Sequence, residues 1–204
     1  MNEWIEKFNN YWRVFAQNLK LSAEQSKQLY EVLIQAYTEP HRHYHTVQHI
    51  VECLDLYHQV KNQLEQPLWV QLAIWFHDVI YDPQSNENEM RSALLMQDLC
   101  EDFLDEDALA TIFLWILATM YHQPTDQTDL NYLLDIDLAI LGTSSARFLQ
   151  YEQQVRLEYS WVPLEIYTVK RTEILQHFAC QKPLYKTPYF QQHFEKPAQV
   201  NLSV

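Results

Sequence analysis

The chain has 204 residues, of which 48% are apolar and 14% aromatic, and this composition excludes a disordered chain and fits one fairly large globular domain. Its 14 basic and 27 acidic residues give a formal net charge of −13. Such a surface repels phosphodiester polymers, so we expect no binding of a nucleic-acid polymer through a basic face. A small anionic substrate, held by a few arginines and a metal, is compatible with this charge.

The spacing of apolar residues predicts helices along the whole chain, and no alternating pattern indicates a strand. The first helix is predicted over 2–18, and Ser22 with Gln25 forms a capping box for a second helix that runs to about residue 38. Seven more are predicted, over 44–64, 67–80, 87–103, 106–121, 130–141, 144–160 and 163–180. The expected fold is therefore all-α, a single domain over 1–204 with nine or ten helices. The segment 195–204 is expected to be a loose tail.

Several observations favour a cytoplasmic protein that does not contact a membrane. The start of the chain lacks the pattern of a signal peptide, and the longest apolar run, 108–121, is shorter than the roughly 20 residues that span a bilayer. Cys53, Cys100 and Cys180 have no paired spacing, so we expect reduced core thiols. The oligomeric state cannot be derived from these patterns.

Because Gly142 is the only glycine in the sequence, several glycine-containing motifs are excluded. Neither a P-loop, nor a glycine-rich dinucleotide-binding turn, nor a nucleophile elbow can be written with one glycine. Any phosphate must therefore be bound by side chains and a metal.

The stretch EPHRHYHTVQHI, residues 39–50, contains four histidines, of which His45 and His49 are four positions apart. On one helix these two imidazoles would share a face and could bind a metal or a substrate together. Taken alone, such a pair is more often structural, and His41 and His43 are expected to be surface or structural residues.

Two apolar segments each contain acidic residues that need a partner. His77 and Asp78 interrupt LAIWFHDVIYD, residues 72–82, and Asp135 and Asp137 interrupt LLDIDLAILG, residues 133–142. A buried carboxylate is costly unless it is paired or bound to a metal. Asp135 could serve as a cap or in a salt bridge, whereas a common metal would satisfy both Asp78 and Asp137.

The ordered pattern H…HD…D resembles the HD-domain superfamily of metal-dependent phosphohydrolases. Six short segments resemble a small bacterial subgroup of predicted metal-dependent HD phosphohydrolases: YHTVQHI, WFHDVIYD, NEMRSA, ILATMYH, DIDLAILG and RLEYSWV. The resemblance covers about residues 40–185. It implies a helical bundle of the HD-domain and phosphodiesterase type, with His49, His77, Asp78 and Asp137 as metal ligands. Asp78 would in addition bridge a second metal or orient the attacking water.

The same resemblance suggests roles for neighbouring residues. His45 matches the histidine that protonates the leaving group in cyclic-nucleotide phosphodiesterases. Glu89 matches a glutamate near their metal site that orients a histidine or water, with an acid in the first turn of a helix as the alternative. Thr46 replaces their usual asparagine and their glutamine clamp is missing, so a cyclic-nucleotide substrate is not implied. His122 is a candidate for a second metal or for substrate contact, with a helix-terminal histidine as the alternative.

The ligand types favour one or two divalent ions, with Mn, Fe, Co, Ni or Zn preferred over Mg alone. Arg42 and Arg171 are the candidate phosphate ligands, although in so acidic a chain each could instead neutralise a carboxylate. We therefore expect a phosphohydrolase that acts on a small phosphoester, a nucleotide being one candidate, through metal-activated water. The alternatives are an HD-type di-iron oxygenase and a nucleotide-binding regulatory module with little turnover.

Overall fold

The computed structural model describes residues 3–203, and within them the prediction of an all-α protein is confirmed, since this range contains no strand. The α-helices are α1 (Glu3–Asn18), α2 (Ala23–Ala36), α3 (Val47–Val60), α4 (Pro67–Phe76), α5 (Asn88–Cys100), α6 (Glu106–Ala118), α7 (Thr128–Leu138), α8 (Ser145–Glu158), α9 (Leu164–Cys180), α10 (Pro188–His193) and α11 (Glu195–Asn201). Two 3₁₀ helices, Lys61–Gln63 and Ala139–Gly142, follow α3 and α7.

Helix α4 is the centre of the core. All residues from Val70 to Phe76 are buried, because α4 is apolar on every side and is surrounded by α1, α3, α6 and α7. The Trp75 ring meets Phe8 of α1 edge to face, with ring centroids 4.8 Å apart. The predicted capping box of α2 is confirmed, as the Gln25 amide donates to Ser22 Oγ and the Ser22 amide donates to Gln25 Oε1.

Two predicted helix boundaries, the start of α3 and the end of α4, are wrong. Helix α3 begins at Val47 and not at 44, so His45 lies before the helix and not on one of its faces with His49. Helix α4 ends at Phe76 and not at 80, so His77 is its C-terminal cap and Asp78 lies in the following turn.

In place of the loose tail expected over 195–204, residues Glu195–Asn201 form α11, and the described chain continues to residue 203. Ala198, Asn201 and Leu202 are buried, and Asn201 Nδ2 donates to the carbonyls of Leu141 and Thr143. Gly142 permits this packing, because a Cβ at that position would lie 2.5 Å from the Phe194 carbonyl oxygen.

None of the helices within 3–203 is long and apolar enough to cross a bilayer. The three cysteines are free thiols, as expected, but only Cys53 and Cys100 are in the core, since Cys180 is exposed near the end of α9.

Candidate metal centre

The four predicted metal ligands come from three helices that pack against one another. His49 is in the first turn of α3, His77 and Asp78 are at the C-terminal end of α4, and Asp137 is in the last turn of α7. Both imidazoles are buried, while the two carboxylates are about four-fifths buried, with side-chain exposures of 17% and 18%. The fold thus collects residues that are far apart in the sequence.

Their ligand atoms converge on one point. His49 Nε2 and His77 Nε2 are 3.1 Å apart. Asp78 Oδ2 lies 3.4 Å from the first nitrogen and 3.1 Å from the second. Asp137 Oδ1 lies 3.4 Å and 3.5 Å from the same two atoms. Each carboxylate therefore faces both histidines.

These separations suit one metal ion. Two ligands held about 2.1 Å from an ion lie about 3.0 Å apart at right angles and about 3.4 Å apart at the tetrahedral angle. The protonation of His77 also suits metal binding. Its Nδ1 lies 2.9 Å from the Ile74 carbonyl oxygen and must donate to it, so in the neutral ring Nε2 carries a lone pair. Lone pairs and carboxylate oxygens that face each other this closely require a cation or protons between them.

The electrostatics of the centre are those of a cation site. Burial would lower the pKa of His77, but the charges of Asp78 and Asp137 raise it well above its usual value. Conversely, burial would raise the pKa of Asp137, but His77 and the bonds from the surrounding histidines hold it well below its usual range. The cluster therefore attracts positive charge, and a divalent ion would take the place of protons.

His45 lies beside this cluster as part of a buried network. Its ring centroid is 6.0 Å from that of His49, and its Nδ1 donates to Glu158 Oε2 at 2.8 Å. Tyr81 stacks on the imidazole at 4.0 Å between centroids and donates its hydroxyl to the same Oε2. The bond at Nδ1 leaves Nε2 as the ring nitrogen available to a substrate.

Glu158 also anchors the segment that precedes α3. Its Oε1 accepts the backbone N–H groups of His43, Tyr44 and His45 at 2.7–3.0 Å, and these bonds tie the segment to the end of α8. Burial would raise the pKa of Glu158, but the charge of His45 and these bonds lower it to about 2. Sequence reasoning did not single out Glu158, and the only signal is an acidic residue in the word RLEYSWV.

The predicted substrate-binding role of Arg42 is not supported, because its side chain is fully buried and all its nitrogens are occupied. It donates to Glu39, to the carbonyls of Asp78 (2.6 Å) and Val79 (2.9 Å), and to that of His45 at 3.3 Å. Through these bonds Arg42, in the loop before α3, holds the turn that follows α4. Arg42 is thus a structural residue that joins the loop of His45 to the turn of Asp78.

His122 is joined to the centre through Asp137. Its Nε2 lies 2.8 Å from Asp137 Oδ2, the oxygen that does not face His49 and His77. Its backbone is left-handed, with φ of 51°, a conformation that costs energy in a residue other than glycine. His122 does not line the cleft described next, and it lies against Asp137, one of the predicted metal ligands; its role as a contact for substrate or a second metal stays a prediction.

A cleft of about 410 Å³ opens beside the centre and has His45, Asp78 and Glu89 in its walls. Arg171 also lines it, and its guanidinium pairs with Glu152 and lies over the Tyr151 ring. Burial would lower the pKa of Arg171, but Tyr151 and Glu152 raise it, so this side chain remains a cation. A larger hollow, of about 600 Å³, lies behind the Arg42 and Glu158 network and contains no predicted metal ligand.

Asp135, the other acid of the segment 133–142, is structural. It is fully buried and accepts hydrogen bonds from the amides of Lys186 and Thr187 and from the Thr187 hydroxyl, so the cap and salt-bridge interpretation is confirmed. Cys53, which sequence reasoning placed only in the core, lies against His49 with its Sγ 3.7 Å from Nδ1. Tyr81 and Cys53, like Glu158, carry no motif that marks them as site residues.

No protein-family model matches this chain, and neither the curated proteins nor the solved structures that were compared with it contain a match.

Proposed function

We propose that this protein is a divalent-metal-dependent phosphohydrolase of the HD type that acts on a small phosphoester. The main support for this proposal is the convergence of two histidines and two carboxylates, in which one oxygen of each carboxylate lies 3.1–3.5 Å from the Nε2 atoms of both imidazoles. The resemblance of the flanking sequence segments to HD phosphohydrolases supports the same function. The imidazole and carboxylate donors suit Mn, Fe, Co, Ni or Zn better than Mg alone, and one or two ions could be held.

When bound, a divalent ion supplies a nucleophilic water at neutral pH and polarises a phosphoryl oxygen. The protein contributes the groups around it. His45, oriented by Glu158 and stacked on Tyr81, is the general acid that delivers a proton from Nε2 to the leaving oxygen. Glu89, which lies in the wall of the cleft, is proposed to orient water or a ligand histidine.

The walls of the cleft support a substrate with a phosphate and an aromatic group. Arg171 and Lys170 supply positive charge next to the centre, and the walls contain four aromatic side chains, Tyr81, Tyr151, Tyr159 and Tyr167. A nucleotide has both features, so we propose nucleotides as the substrate class to test first. The net charge of −13 argues against a nucleic-acid polymer as the substrate.

The test is a phosphatase and phosphodiesterase screen of the metal-free protein, reloaded in turn with Mn²⁺, Co²⁺, Ni²⁺, Mg²⁺ and Fe²⁺. We expect hydrolysis with at least one transition ion, its loss in Asp78→Asn, and its retention in the matched control Asp82→Asn, which changes an exposed acid in the same loop. Turnover that is equal in both variants would contradict the assignment. Consumption of O₂ with Fe²⁺ and without hydrolysis would instead indicate an iron oxygenase, and tight nucleotide binding without turnover would indicate a regulatory module.

A further inference from the structure

Cys53 brings a sulfur atom to the metal centre. It lies one helical turn after His49 on α3 and is 3% exposed. Its Sγ is 3.7 Å from Nδ1 and 3.9 Å from Nε2 of His49. Ligand atoms of His49, Cys53 and Asp137 all lie within 4.8 Å of one another, so this thiol, one histidine and one carboxylate form a second group of donors.

These separations are close to those of a bound ion. With a metal–sulfur distance of about 2.3 Å and a metal–nitrogen distance of about 2.1 Å, the two donor atoms lie about 3.6 Å apart at the tetrahedral angle. The group is looser than the set formed by His49, His77, Asp78 and Asp137, so the donors must move inward by some tenths of an ångström to hold an ion. A thiolate is a soft ligand that favours Zn²⁺, Co²⁺ or Cd²⁺ over Mn²⁺ and Mg²⁺.

The side of the centre that carries Cys53 faces a second hollow, separate from the cleft. A hollow of about 250 Å³ is lined by His49, Cys53 and Asp137 together with apolar side chains, among them Leu56, Ile136, Ile140 and Phe194. It shares no lining residue with the 410 Å³ cleft that contains His45 and Asp78. An ion drawn towards Cys53 would therefore move away from the cleft.

We propose that His49, Cys53 and Asp137 form an alternative metal position for a thiophilic divalent ion, occupied in competition with the position that also uses His77 and Asp78. Because the two positions share His49 and Asp137, one chain holds an ion in only one of them at a time. On binding, the Cys53 thiol gives its proton to solvent and the thiolate coordinates the ion. This inference rests on the proposed metal centre and adds that the nature of the ion decides whether His45 and the cleft face it.

The test is a titration of metal-free protein with Co²⁺, followed by the sulfur-to-cobalt charge-transfer absorption in the near ultraviolet. We expect this band in the wild type, its loss in Cys53→Ser, and its retention in the control Cys180→Ser, which changes an exposed thiol. His77→Ala should keep the band while losing affinity for Mn²⁺, whereas Asp137→Asn should weaken the binding of both ions. Circular dichroism of each variant verifies that it is folded.

Each outcome separates this inference from the proposed function. Cobalt spectra that are the same in the wild type and Cys53→Ser would overturn the sulfur position and leave the proposed centre intact. Co²⁺ binding that is equally weak in the wild type and in Asp137→Asn would overturn both. Loss of the band in Cys53→Ser, combined with unchanged Mn²⁺ affinity, would support the alternative position.

Discussion

Among single residues, each buried acidic side chain near the centre is stabilised by specific hydrogen-bond or ion-pair partners. Asp135 and Asp137 are two positions apart on α7, yet one is saturated by backbone amides and the other faces two imidazoles. Glu158 is fully buried and accepts five hydrogen bonds. A carboxylate that accepts so many bonds positions its neighbours, and its removal should affect both stability and the orientation of the His45 ring.

We expect Glu158→Gln to lower the free energy of unfolding by about 3 kcal/mol near neutral pH, because it removes a buried charge that is paired with several donors. The pKa of Glu158 falls from its ordinary value of 4.5 to about 2 in the folded protein. The stabilisation by the carboxylate is therefore complete above pH 4.5 and is lost as the pH falls towards 2.

Chemical denaturation of the wild type and Glu158→Gln at a series of pH values tests this. The difference between the two proteins should be largest at neutral pH and should shrink below pH 4.5. A difference that stays constant down to pH 3 would mean that the Glu158 carboxylate is not the stabilising species. Glu165→Gln, which changes an exposed acid in the first turn of α9, is the matched control.

His122 offers a second test, because its backbone and its side chain have separable effects. Replacing it with alanine or glycine removes the bond to Asp137, so both variants should bind metal about 10- to 100-fold more weakly. The left-handed backbone favours glycine, so His122→Gly should be about 1 kcal/mol more stable than His122→Ala. Metal titration calorimetry and thermal denaturation measure the two effects, and unchanged metal affinity in both variants would show that His122 does not orient Asp137.

At the scale of helices, the sequence predicted nearly every helix between residues 3 and 180 but not the boundaries that shape the site. Apolar spacing is a local signal and indicates where α3 and α4 lie. The segments just outside their ends are held by residues that are distant in sequence, namely Glu158 for the segment before α3 and Arg42 for the turn after α4. The ligand set could be predicted from the energetic cost of burying Asp78 and Asp137 and from the HD resemblance. The partners of His45 could not be predicted, because no local sequence pattern indicates these contacts.

Arg42→Met should destabilise the protein by about 3 kcal/mol, because it leaves the buried carbonyls of Asp78 and Val79 without donors. It should also weaken metal binding, since the turn that carries Asp78 loses its support. Arg42→Lys should rescue little, because one ammonium cannot reach all the acceptors that the planar guanidinium joins. Denaturant unfolding and metal titration measure both effects.

The control is Arg13→Met on the exposed side of α1, which should change stability by no more than about 0.5 kcal/mol. An Arg42→Met protein with the stability and metal affinity of the wild type would contradict the role assigned to Arg42.

At the scale of the whole molecule, the described chain is an all-helical core with one polar centre built into it. The centre lies where the ends of α3, α4 and α7 meet, and α8 supports it through Glu158. Helix α11 supports the same region from the C-terminal side by packing on Ala139–Gly142, directly after the helix that carries Asp137. No local pattern marked α10 and α11 as core elements, because their burial depends on a glycine some fifty residues earlier.

We propose that one divalent metal ion binds to His49, His77, Asp78 and Asp137 together. The most direct measurement is the metal content and Mn²⁺ affinity of the purified wild type, His77→Ala and Asp78→Asn, with His58→Gln and Asp82→Asn as folded controls that change a histidine and an acid outside the cluster. We predict that the wild type and both controls retain at least one ion per chain and that His77→Ala and Asp78→Asn lose it while remaining folded. Equal metal content and affinity in all five proteins would show that this cluster does not bind the ion.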